Sequence, residues 1–276
     1  MGIGTTLSLE GAEFRYPASD RSTLRGAELE IRAGEWVAIL GPNGSGKSTL
    51  LKLFNALLAP TQGICFVDGL DTRDEANVEK IRARVAMVFQ NPEDQIVAAV
   101  VEEDTAFGPE NLGLKSEEIR ARVKEALTAT GLWELRKRQV SSLSGGQKQR
   151  LALAGALAVQ PGCLLLDEAM SMLDPQARSE FMRLIENARA RGLTIVEVTH
   201  RLDEIIGADR VVLLEEGRVA WSGGSDEFLS QSSEKLRAMN LRKPKISVLR
   251  DELAAQGLIP PATRADVSCI KDALCR

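Results

Sequence analysis

The sequence predicts an α/β fold with a mostly parallel sheet that is covered by helices on both faces. Short, continuous apolar segments alternate along the chain with stretches of helical periodicity, which is typical of buried parallel strands joined by helices. The apolar segment at residues 36–40 runs directly into a glycine-rich loop that precedes a helix. Apolar residues make up 44% of the 276-residue chain, so enough apolar surface is present to form a core.

The N-terminal region predicts antiparallel strands that lie outside this alternation. Residues 7–10 alternate apolar and polar side chains, and residues 29–31 continue the pattern beyond a turn-rich segment at residues 16–20. A period of two is expected where one face of a sheet is buried and the other is exposed. We therefore expect an N-terminal antiparallel β-subdomain.

Buried strands and helices then alternate through the rest of the chain. The candidate buried strands are residues 36–40, 85–89, 163–166, 194–198 and 210–214. Helices are predicted at residues 48–58 and at residues 175–191, where Gly192 ends the helical pattern. A hairpin turn at residues 215–218 leads into a last strand at residues 219–221.

Residues 91–160 interrupt the alternation of strands and helices. Their pattern is helical at residues 117–130, which Gly131 closes, and again at residues 144–159. Apolar segments of the kind that form buried strands are not evident here. We interpret this stretch as a helical subdomain inserted into a sheet domain that spans residues 5–230.

The composition changes near residue 231, and residues 231–276 predict a small helical extension. Two short amphipathic helices are expected, over residues 244–255 and 266–274. Their apolar positions are Ile246, Leu249 and Leu253 in the first helix and Val267, Ile270 and Leu274 in the second. Helices this short cannot bury their own apolar faces, so they must pack on the domain or on a partner.

Composition excludes several classes of protein. The net charge of −4 and the isoelectric point of about 5.4 do not favour a nucleic-acid binder, so we expect no nucleic-acid partner. The longest apolar runs are far shorter than the roughly 18–20 residues that a membrane-spanning helix needs. The four cysteines form no C-x-x-C pair and are interpreted as reduced intracellular thiols.

The glycine-rich loop has the strongest chemical signal, because it matches the phosphate-binding pattern G-x4-G-K-S in full. The predicted nucleotide-binding residues here are Gly41, Pro42, Asn43, Gly44, Ser45, Gly46, Lys47, Ser48 and Thr49. Glycines let backbone N–H groups surround an anion, and the following helix adds its positive N-terminal end. Lys47 is expected to contact the β- and γ-phosphates of ATP, and the Ser48 hydroxyl is expected to ligate Mg²⁺.

Two adjacent carboxylates end the strand at residues 163–166. Asp167 can hold Mg²⁺ through the water shell of the ion, and Glu168 can orient or deprotonate an attacking water. Two acids at a strand end could also be merely solvated. Their place after a strand, downstream of a phosphate-binding loop, favours the catalytic interpretation.

These motifs together resemble the ATP-binding-cassette (ABC) ATPases, over residues 5–230 and with six motifs in the right order. Residues 143–147 (LSGGQ) resemble the signature of that family. The resemblance implies that the signature binds the ATP of a second ATPase subunit, through Ser144, Gly145, Gly146 and Gln147. Two ATP molecules would then lie between two subunits, and closure of the dimer would depend on the γ-phosphate.

Four further segments are similar to conserved ABC elements. Gln90 resembles the Q-loop glutamine, which contacts Mg²⁺ and water. His200 is the only histidine in the chain and resembles the switch histidine, which points at the γ-phosphate. Tyr16 resembles the aromatic residue that stacks on adenine, although a tyrosine could also lie in the core. Residues 171–174 resemble the D-loop, which passes between the two nucleotide sites.

The segment after Gln90 narrows the resemblance further. Residues 91–97 and 102–112 look like the ATPase subunits of energy-coupling-factor (ECF) importers, the group that takes up cobalt, nickel and vitamins. This implies a peripheral ATPase on the cytoplasmic face of the cell membrane, with ATP and Mg²⁺ as cofactors. Its partners would be a second ATPase subunit, identical or paralogous, a transmembrane coupling subunit and an integral-membrane substrate-binding subunit. The tail from residue 244 resembles the dimerisation segment of that group.

Two other functions stay open at this point. A soluble, non-transport ABC ATPase is the main alternative, although members that act on ribosomes usually have two cassettes and DNA-repair members contain a long coiled coil. A scaffold with inactive sites is the second alternative, and it conflicts with the presence of Lys47, Glu168 and His200.

Overall fold

The computed structural model describes residues 4–17, 19–239, 241–260 and 263–275. The strands are β1 (Leu7–Phe14), β2 (Leu24–Ile31), β3 (Trp36–Leu40), β4 (Gln62–Val67), β5 (Leu70–Asp71), β6 (Val85–Val88), β7 (Cys163–Asp167), β8 (Thr194–Val198), β9 (Arg210–Glu215) and β10 (Arg218–Gly224). The helices are α1 (Lys47–Phe54), α2 (Val78–Arg84), α3 (Val101–Asn111), α4 (Ser116–Ala129), α5 (Gly145–Ala158), α6 (Pro175–Ala190), α7 (Ser225–Leu229), α8 (Ser233–Ala238), α9 (Lys245–Ala255) and α10 (Val267–Leu274).

The strands form two sheets within the described residues. The first is antiparallel, in the order β2-β1-β4-β5. The second has the order β10-β9-β3-β8-β7-β6, and its pairs are parallel except for the hairpin of β9 and β10. The predicted α/β class, with a mostly parallel sheet and an N-terminal antiparallel subdomain, is confirmed.

Strand β3 lies between two cores because its side chains alternate between the faces of the large sheet. Trp36, Ala38 and Leu40 pack with buried residues of α5 and α6. Val37 and Ile39 pack with α1, α2 and the inner face of the antiparallel sheet. Every residue of β3 is buried, which is the reason that its sequence is continuously apolar.

Helices α3, α4 and α5 surround a third, smaller core, as expected for the inserted helical subdomain. Val101, Val123, Leu127 and Leu151 contribute to it. Helix α5 belongs to two cores, because other side chains on it, such as Leu153, pack under the large sheet. This helix therefore joins the helical subdomain to the sheet.

Several boundaries differ from the sequence prediction. Helix α1 ends at Phe54 rather than at residue 58, because Asn55 caps it and Ala56 has a left-handed backbone (φ 51°). Strand β10 continues to Gly224, past the predicted end at residue 221. Strands β4 and β5 and helix α3 were not individually predicted. Helix α3 contains Pro109, a residue that normally argues against a helix interior.

The C-terminal tail, from residue 231 onwards, contains both predicted helices as α9 and α10. The buried residues of α9 are Ser247 and Arg250, whereas Leu249 is 45% exposed. In α10, Ile270 is buried and Val267 is 72% exposed. Much of the apolar surface of α9 and α10 thus faces away from the chain, while Leu236 and Leu241, which precede them in the tail, pack into the core of the large sheet.

No helix in the described part of the chain combines the length and the apolar character that crossing a membrane requires. The described cysteines Cys65, Cys163, Cys269 and Cys275 are free thiols.

Candidate functional site

The predicted catalytic residues follow four neighbouring strands at the same edge of the large sheet. The phosphate-binding loop follows β3, Gln90 follows β6, Glu168 follows β7 and His200 follows β8. Because these strands are parallel, their carboxyl ends lie side by side. The topology therefore brings together residues that are far apart in the sequence, at the place where open α/β sheets bind ligands.

The phosphate-binding loop is shaped by close contact of its backbone with strand β9. A Cβ atom at Gly41 would lie 2.1 Å from the carbonyl oxygen of Leu214, so only glycine fits there. The Nζ atom of Lys47 donates to the carbonyls of Gly41 and Pro42, each at 2.9 Å. Lys47 is 6% exposed, and burial lowers its pKa, an effect that Glu168 and Asp167 oppose.

Oxygen donors suited to a magnesium ion lie next to Lys47. The Ser48 hydroxyl donates to Oδ1 of Asp167 at 2.9 Å. Burial raises the pKa of Asp167, and the hydrogen bond from Ser48 opposes this rise. Hydroxyl and carboxylate oxygens are the ligands that Mg²⁺ prefers. Among the described residues, no group of three His, Cys, Asp or Glu side chains is placed to hold a metal ion by itself, so phosphate and water oxygens would have to complete the coordination.

Glu168 lies at the centre of the site. Its Oε1 atom is 3.0 Å from Nε2 of His200, a close approach rather than an aligned hydrogen bond. Its Oε2 atom accepts from Nε2 of Gln90 at 3.3 Å, and the same amide donates to the Ser171 hydroxyl at 3.3 Å. The backbone of Glu168 is left-handed (φ 49°). Such a conformation costs a non-glycine residue about 1–2 kcal/mol and is typical of functional sites.

Tyr16 lies beside the phosphate-binding loop. Its hydroxyl is hydrogen-bonded to the Thr49 hydroxyl at 3.1 Å. Tyr16 is 38% exposed, and its ring rests edge-on against Phe14, with ring centroids 4.8 Å apart. Tyr16 is therefore not a core tyrosine.

The signature segment forms the exposed N-terminus of α5. Ser144 caps the helix in a capping box, in which the Gln147 N–H donates to the Ser144 hydroxyl and the Ser144 N–H donates to the Gln147 side chain. A Cβ atom at Gly145 would meet nothing within 4 Å, whereas one at Gly146 would lie 3.1 Å from Cβ of Ala177. No hydrogen bond among the described residues joins residues 144–147 to the phosphate-binding loop.

Two further residues, Arg178 and Glu204, connect the loops of the site. Arg178 on α6 donates to the carbonyl of Leu173 at 2.7 Å and so holds the segment after Glu168. Glu204, which is 5% exposed, lies 3.3 Å from Nε of Arg178 and accepts a hydrogen bond from Thr199, the residue before His200. Glu204 ends the family-like segment that follows β8, but no motif indicates the contact between Arg178 and Glu204, so only the fold could identify their connecting role.

The sequence of the chain is also similar to those of known proteins. The chain matches the protein-family model described as ABC transporter over residues 24–171. It is 51% identical to the energy-coupling factor transporter ATP-binding protein EcfA1 of Symbiobacterium thermophilum, over 276 residues that cover 100% of this chain and 95% of the relative. It is 42% identical to the cobalt import ATP-binding protein CbiO of Syntrophus aciditrophicus, over 270 residues that cover 98% of this chain and 95% of the relative.

The fold of the chain is similar to solved structures of other ATP-binding cassettes. The cbiO1 protein of Clostridium perfringens, part of the ABC transporter complex cbiONQ, superposes with a TM-score of 0.75 at 38% identity and covers 89% of this chain and 98% of its own. The ATP-binding cassette MJ0796, solved as a dimer in a post-hydrolysis state with ADP and Pi, has a TM-score of 0.72 at 30% identity and covers 79% of this chain and 98% of its own.

Proposed function

Because this chain belongs to the ABC transporter family, and resembles energy-coupling factor ATPases over its whole length, we propose that it is the ATP-hydrolysing subunit of an ECF-type membrane importer. The observation that carries the hydrolytic role is the convergence of Lys47, Asp167, Glu168 and His200 at one edge of the large sheet. A scaffold with inactive sites would not need these groups in contact.

Each residue of the site has a separate role in binding ATP. Tyr16 stacks on the adenine, and the backbone of the phosphate-binding loop holds the phosphates together with Lys47 and Thr49. Ser48, Asp167 and Gln90 would hold Mg²⁺, which neutralises negative charge on the phosphates when it is bound. The oxygen donors already lie in contact, with Ser48 2.9 Å from Asp167, and this supports the assignment.

Glu168 orients or deprotonates the attacking water, and His200 points at the γ-phosphate. The 3.0 Å approach between their side chains lets both groups reach the same water. Gln90 holds the second carboxylate oxygen of Glu168 at 3.3 Å and so restricts its rotation. Glu168 has a left-handed backbone directly after the end of β7, and its side chain meets these partners there.

Ser144, Gly145, Gly146 and Gln147 act on the ATP of a second subunit. Their helix end is exposed, and the open space beside Gly145 leaves room for a phosphate. Two chains would then bind two ATP molecules head to tail, and the C-terminal tail would strengthen the dimer. Hydrolysis removes the γ-phosphate contacts and opens the dimer, which drives the membrane partners.

These partners are a transmembrane coupling subunit and an integral-membrane subunit that captures a vitamin or a transition-metal ion. The relatives named for energy coupling and cobalt import support this placement, with the chain peripheral on the cytoplasmic face of the membrane. They do not favour the soluble, non-transport alternative.

The test is to isolate the chain, with an affinity tag, from detergent-solubilised membranes of its native cells. We expect it to co-purify with membrane subunits, and we expect a strain with Glu168→Gln to lose uptake of the substrate that the small subunit binds. A chain that stays soluble and co-purifies with no membrane subunit would refute the importer role. ATP hydrolysis by the purified chain would then support the soluble alternative.

A further inference from the structure

The residue before Gln90 is held by two side chains rather than by a neighbouring strand. Phe89 follows the last residue of β6, an edge strand of the large sheet. Its N–H donates to Oε1 of Gln95 at 3.2 Å, and its carbonyl accepts from Nε2 of Gln149 at 3.0 Å. Both polar backbone groups of Phe89 therefore depend on glutamine side chains.

Both glutamines connect Phe89 to helix α5. Gln149 lies on α5 and is only 1% exposed. Gln95 lies on the loop after Gln90, and its Nε2 atom donates to the α5 carbonyl of Ala152 at 3.1 Å. Amide side chains are suited to this arrangement because one end accepts a hydrogen bond while the other end donates one. We call Gln95 and Gln149 the glutamine bracket.

The loop that leads from Phe89 to Gln95 is itself fixed to α5. Glu93 forms an ion pair with Lys148 in the first turn of the helix. Asn91 caps the short 3₁₀ turn Pro92–Asp94, since its side chain accepts from the Glu93 N–H at 3.3 Å. The segment from residue 89 to residue 95 is thus bound to α5 at several points, and we expect it to move together with that helix.

Different parts of helix α5 make different contacts. Its N-terminus presents the exposed Ser144 and Gly145. Its first two turns hold Phe89 through the bracket, and the next residue, Gln90, contacts Glu168 at 3.3 Å. A short chain of contacts therefore leads from the signature segment to the side chain that orients the carboxylate of Glu168.

We propose that Gln95 and Gln149 are positioning residues that make the placement of Gln90 against Glu168 depend on the position of α5. The proposal rests on the proposed function, in which the N-terminus of α5 binds the ATP held by a second subunit. Binding of that ATP fixes α5, and the bracket transmits its position to Gln90 at the other nucleotide. The two ATP sites of the dimer are thereby coupled through this side-chain contact in each chain.

The simpler role of the bracket is structural, namely to pair two polar backbone groups at the end of an edge strand. The two roles predict different kinetics. Loss of pairing alone destabilises the fold and lowers activity only in proportion to the folded fraction. Loss of positioning lowers the rate constant of the folded enzyme and the cooperativity between sites, while ATP binding is retained.

The experiment compares Gln149→Met and Gln95→Met with the unaltered full-length chain, in steady-state hydrolysis over a range of ATP concentrations. Methionine is similar in volume to glutamine and removes the hydrogen bonds. We expect kcat to fall by about tenfold, since small misplacements of catalytic groups have large effects on rate. The KM for ATP should change by less than about twofold, and the Hill coefficient should fall towards one. Gln62→Met, at an exposed position of β4, is the matched control and should leave all three values unchanged.

A third variant separates the two roles directly. Gln95→Glu keeps an acceptor for the Phe89 N–H but cannot donate to the Ala152 carbonyl, so it cuts only the connection to α5. We expect it to behave like Gln95→Met in kcat and Hill coefficient and to keep the melting temperature of the unaltered chain.

The outcomes distinguish this proposal from the proposed function. Unaltered kcat and Hill coefficient in Gln149→Met and Gln95→Glu would overturn the coupling role. A fall in kcat that follows the folded fraction, with the Hill coefficient unchanged, would also overturn it. Failure of the unaltered chain to hydrolyse ATP would instead count against the proposed function, and the coupling role would fall with it.

Discussion

The carboxyl edge of the large sheet and the C-terminal tail distribute charged and apolar side chains in opposite ways. At the sheet edge, Lys47 is buried close to two carboxylates, and apolar side chains lie beneath it in the core. In the tail, Arg250 is buried while Leu249 on the same helix is 45% exposed. The sheet edge therefore presents charged groups to its surroundings, whereas the tail exposes apolar surface.

The partners of the two buried cations show the same contrast. Lys47 donates to two carbonyls of a loop that can release it to phosphates. Arg250 and Lys243 share the single carboxylate of Asp251, and Nη2 of Arg250 has no hydrogen-bond partner among the described residues. The first cation is placed for ligand binding, and the second satisfies only part of its hydrogen-bonding capacity within the chain.

The largest expected effect is at the centre of the sheet edge. Glu168→Gln removes the group that accepts the proton of the attacking water but keeps the shape of the side chain. Turnover should fall by about 10²- to 10⁴-fold, the usual contribution of a general base. ATP binding should persist, and size-exclusion chromatography with ATP should show a trapped dimer. Glu186→Gln, at an exposed position of α6, is the control, and normal turnover by Glu168→Gln would remove Glu168 from this role.

Replacement of either buried cation, Lys47 or Arg250, by methionine tests the contrast between the two regions. Lys47→Met should weaken ATP binding by about 10- to 100-fold, because a hydrogen bond to a charged group is worth about 1.5–3 kcal/mol. Arg250→Met should leave ATP binding unchanged. It should shift the free energy of unfolding by less than about 1 kcal/mol, since Asp251 keeps Lys243 and the unpaired Nη2 is removed.

Equilibrium binding of a fluorescent ATP analogue and unfolding in urea measure both quantities for this pair. A loss of ATP affinity in Arg250→Met as large as that in Lys47→Met would mean that the tail takes part in nucleotide binding. The two regions would then not be independent.

The exposed apolar surface of the tail predicts a smaller effect on association. Leu249→Asp places a charge on that surface at a position that is 45% exposed. The dissociation constant of the dimer should rise by about tenfold, which corresponds to roughly 1.4 kcal/mol. Leu57→Asp is a matched control, because Leu57 is 44% exposed and lies outside the tail. Analytical ultracentrifugation measures both, and an equal effect of the two variants would deny the tail a specific role in dimerisation.

Removal of residues 244–276 extends this test. It should weaken subunit association at least as much as Leu249→Asp and leave the phosphate-binding loop able to bind ATP. Unchanged affinity between subunits would mean that the tail has another task.

The smallest effect concerns a carboxyl that belongs to neither region. Glu197 on β8 is fully buried, and its pKa is raised well above the ordinary value by burial and by the nearby Glu204, while the Trp36 indole N–H, 3.2 Å away, opposes the rise. A raised pKa means that the stabilising contribution is complete below the unfolded value of about 4.3 and is lost as pH rises through the folded pKa. Stability should therefore decline from about pH 4.3 upwards.

Glu197→Gln should reduce this decline, because the amide does not ionise. Urea unfolding at pH 5 and pH 8 should give a smaller difference for Glu197→Gln than for the unaltered chain. Part of the slope should persist, since burial also raises the pKa of Glu204. The same pH dependence in both proteins would show that the pKa of Glu197 is not raised in the folded chain.

Local patterns predicted the sheet edge well because its chemistry depends on short motifs. The loop before Lys47, the acids after β7 and the histidine after β8 each follow an apolar strand, and parallel strands bring such ends together. The conformation of Glu168 could not be predicted, because its left-handed backbone follows from contacts with β8 such as the 3.0 Å hydrogen bond to Val198. The glutamine bracket could not be predicted either, because it pairs residues that are distant in the sequence.

The tail was predicted less completely for a related reason. Helical periodicity correctly indicated α9 and α10 and the positions of their apolar side chains. It could not indicate which face packs on the chain, since this depends on the space left by α7 and α8. In the structure, Ser247 and Arg250 are buried and Leu249 is exposed. Periodicity alone therefore predicted the helix and its apolar positions, but not which side chains pack against the chain.

The left-handed backbone at Glu168 restricts how this position can change over evolutionary time. Valine, isoleucine and threonine are strained in that conformation, whereas asparagine, aspartate and glycine adopt it with less cost. Descendants of this protein that have lost hydrolysis should therefore have small or unbranched residues here, whatever chemistry is selected. The backbone conformation at position 168 thus limits which substitutions the folded chain tolerates, independently of their effect on activity.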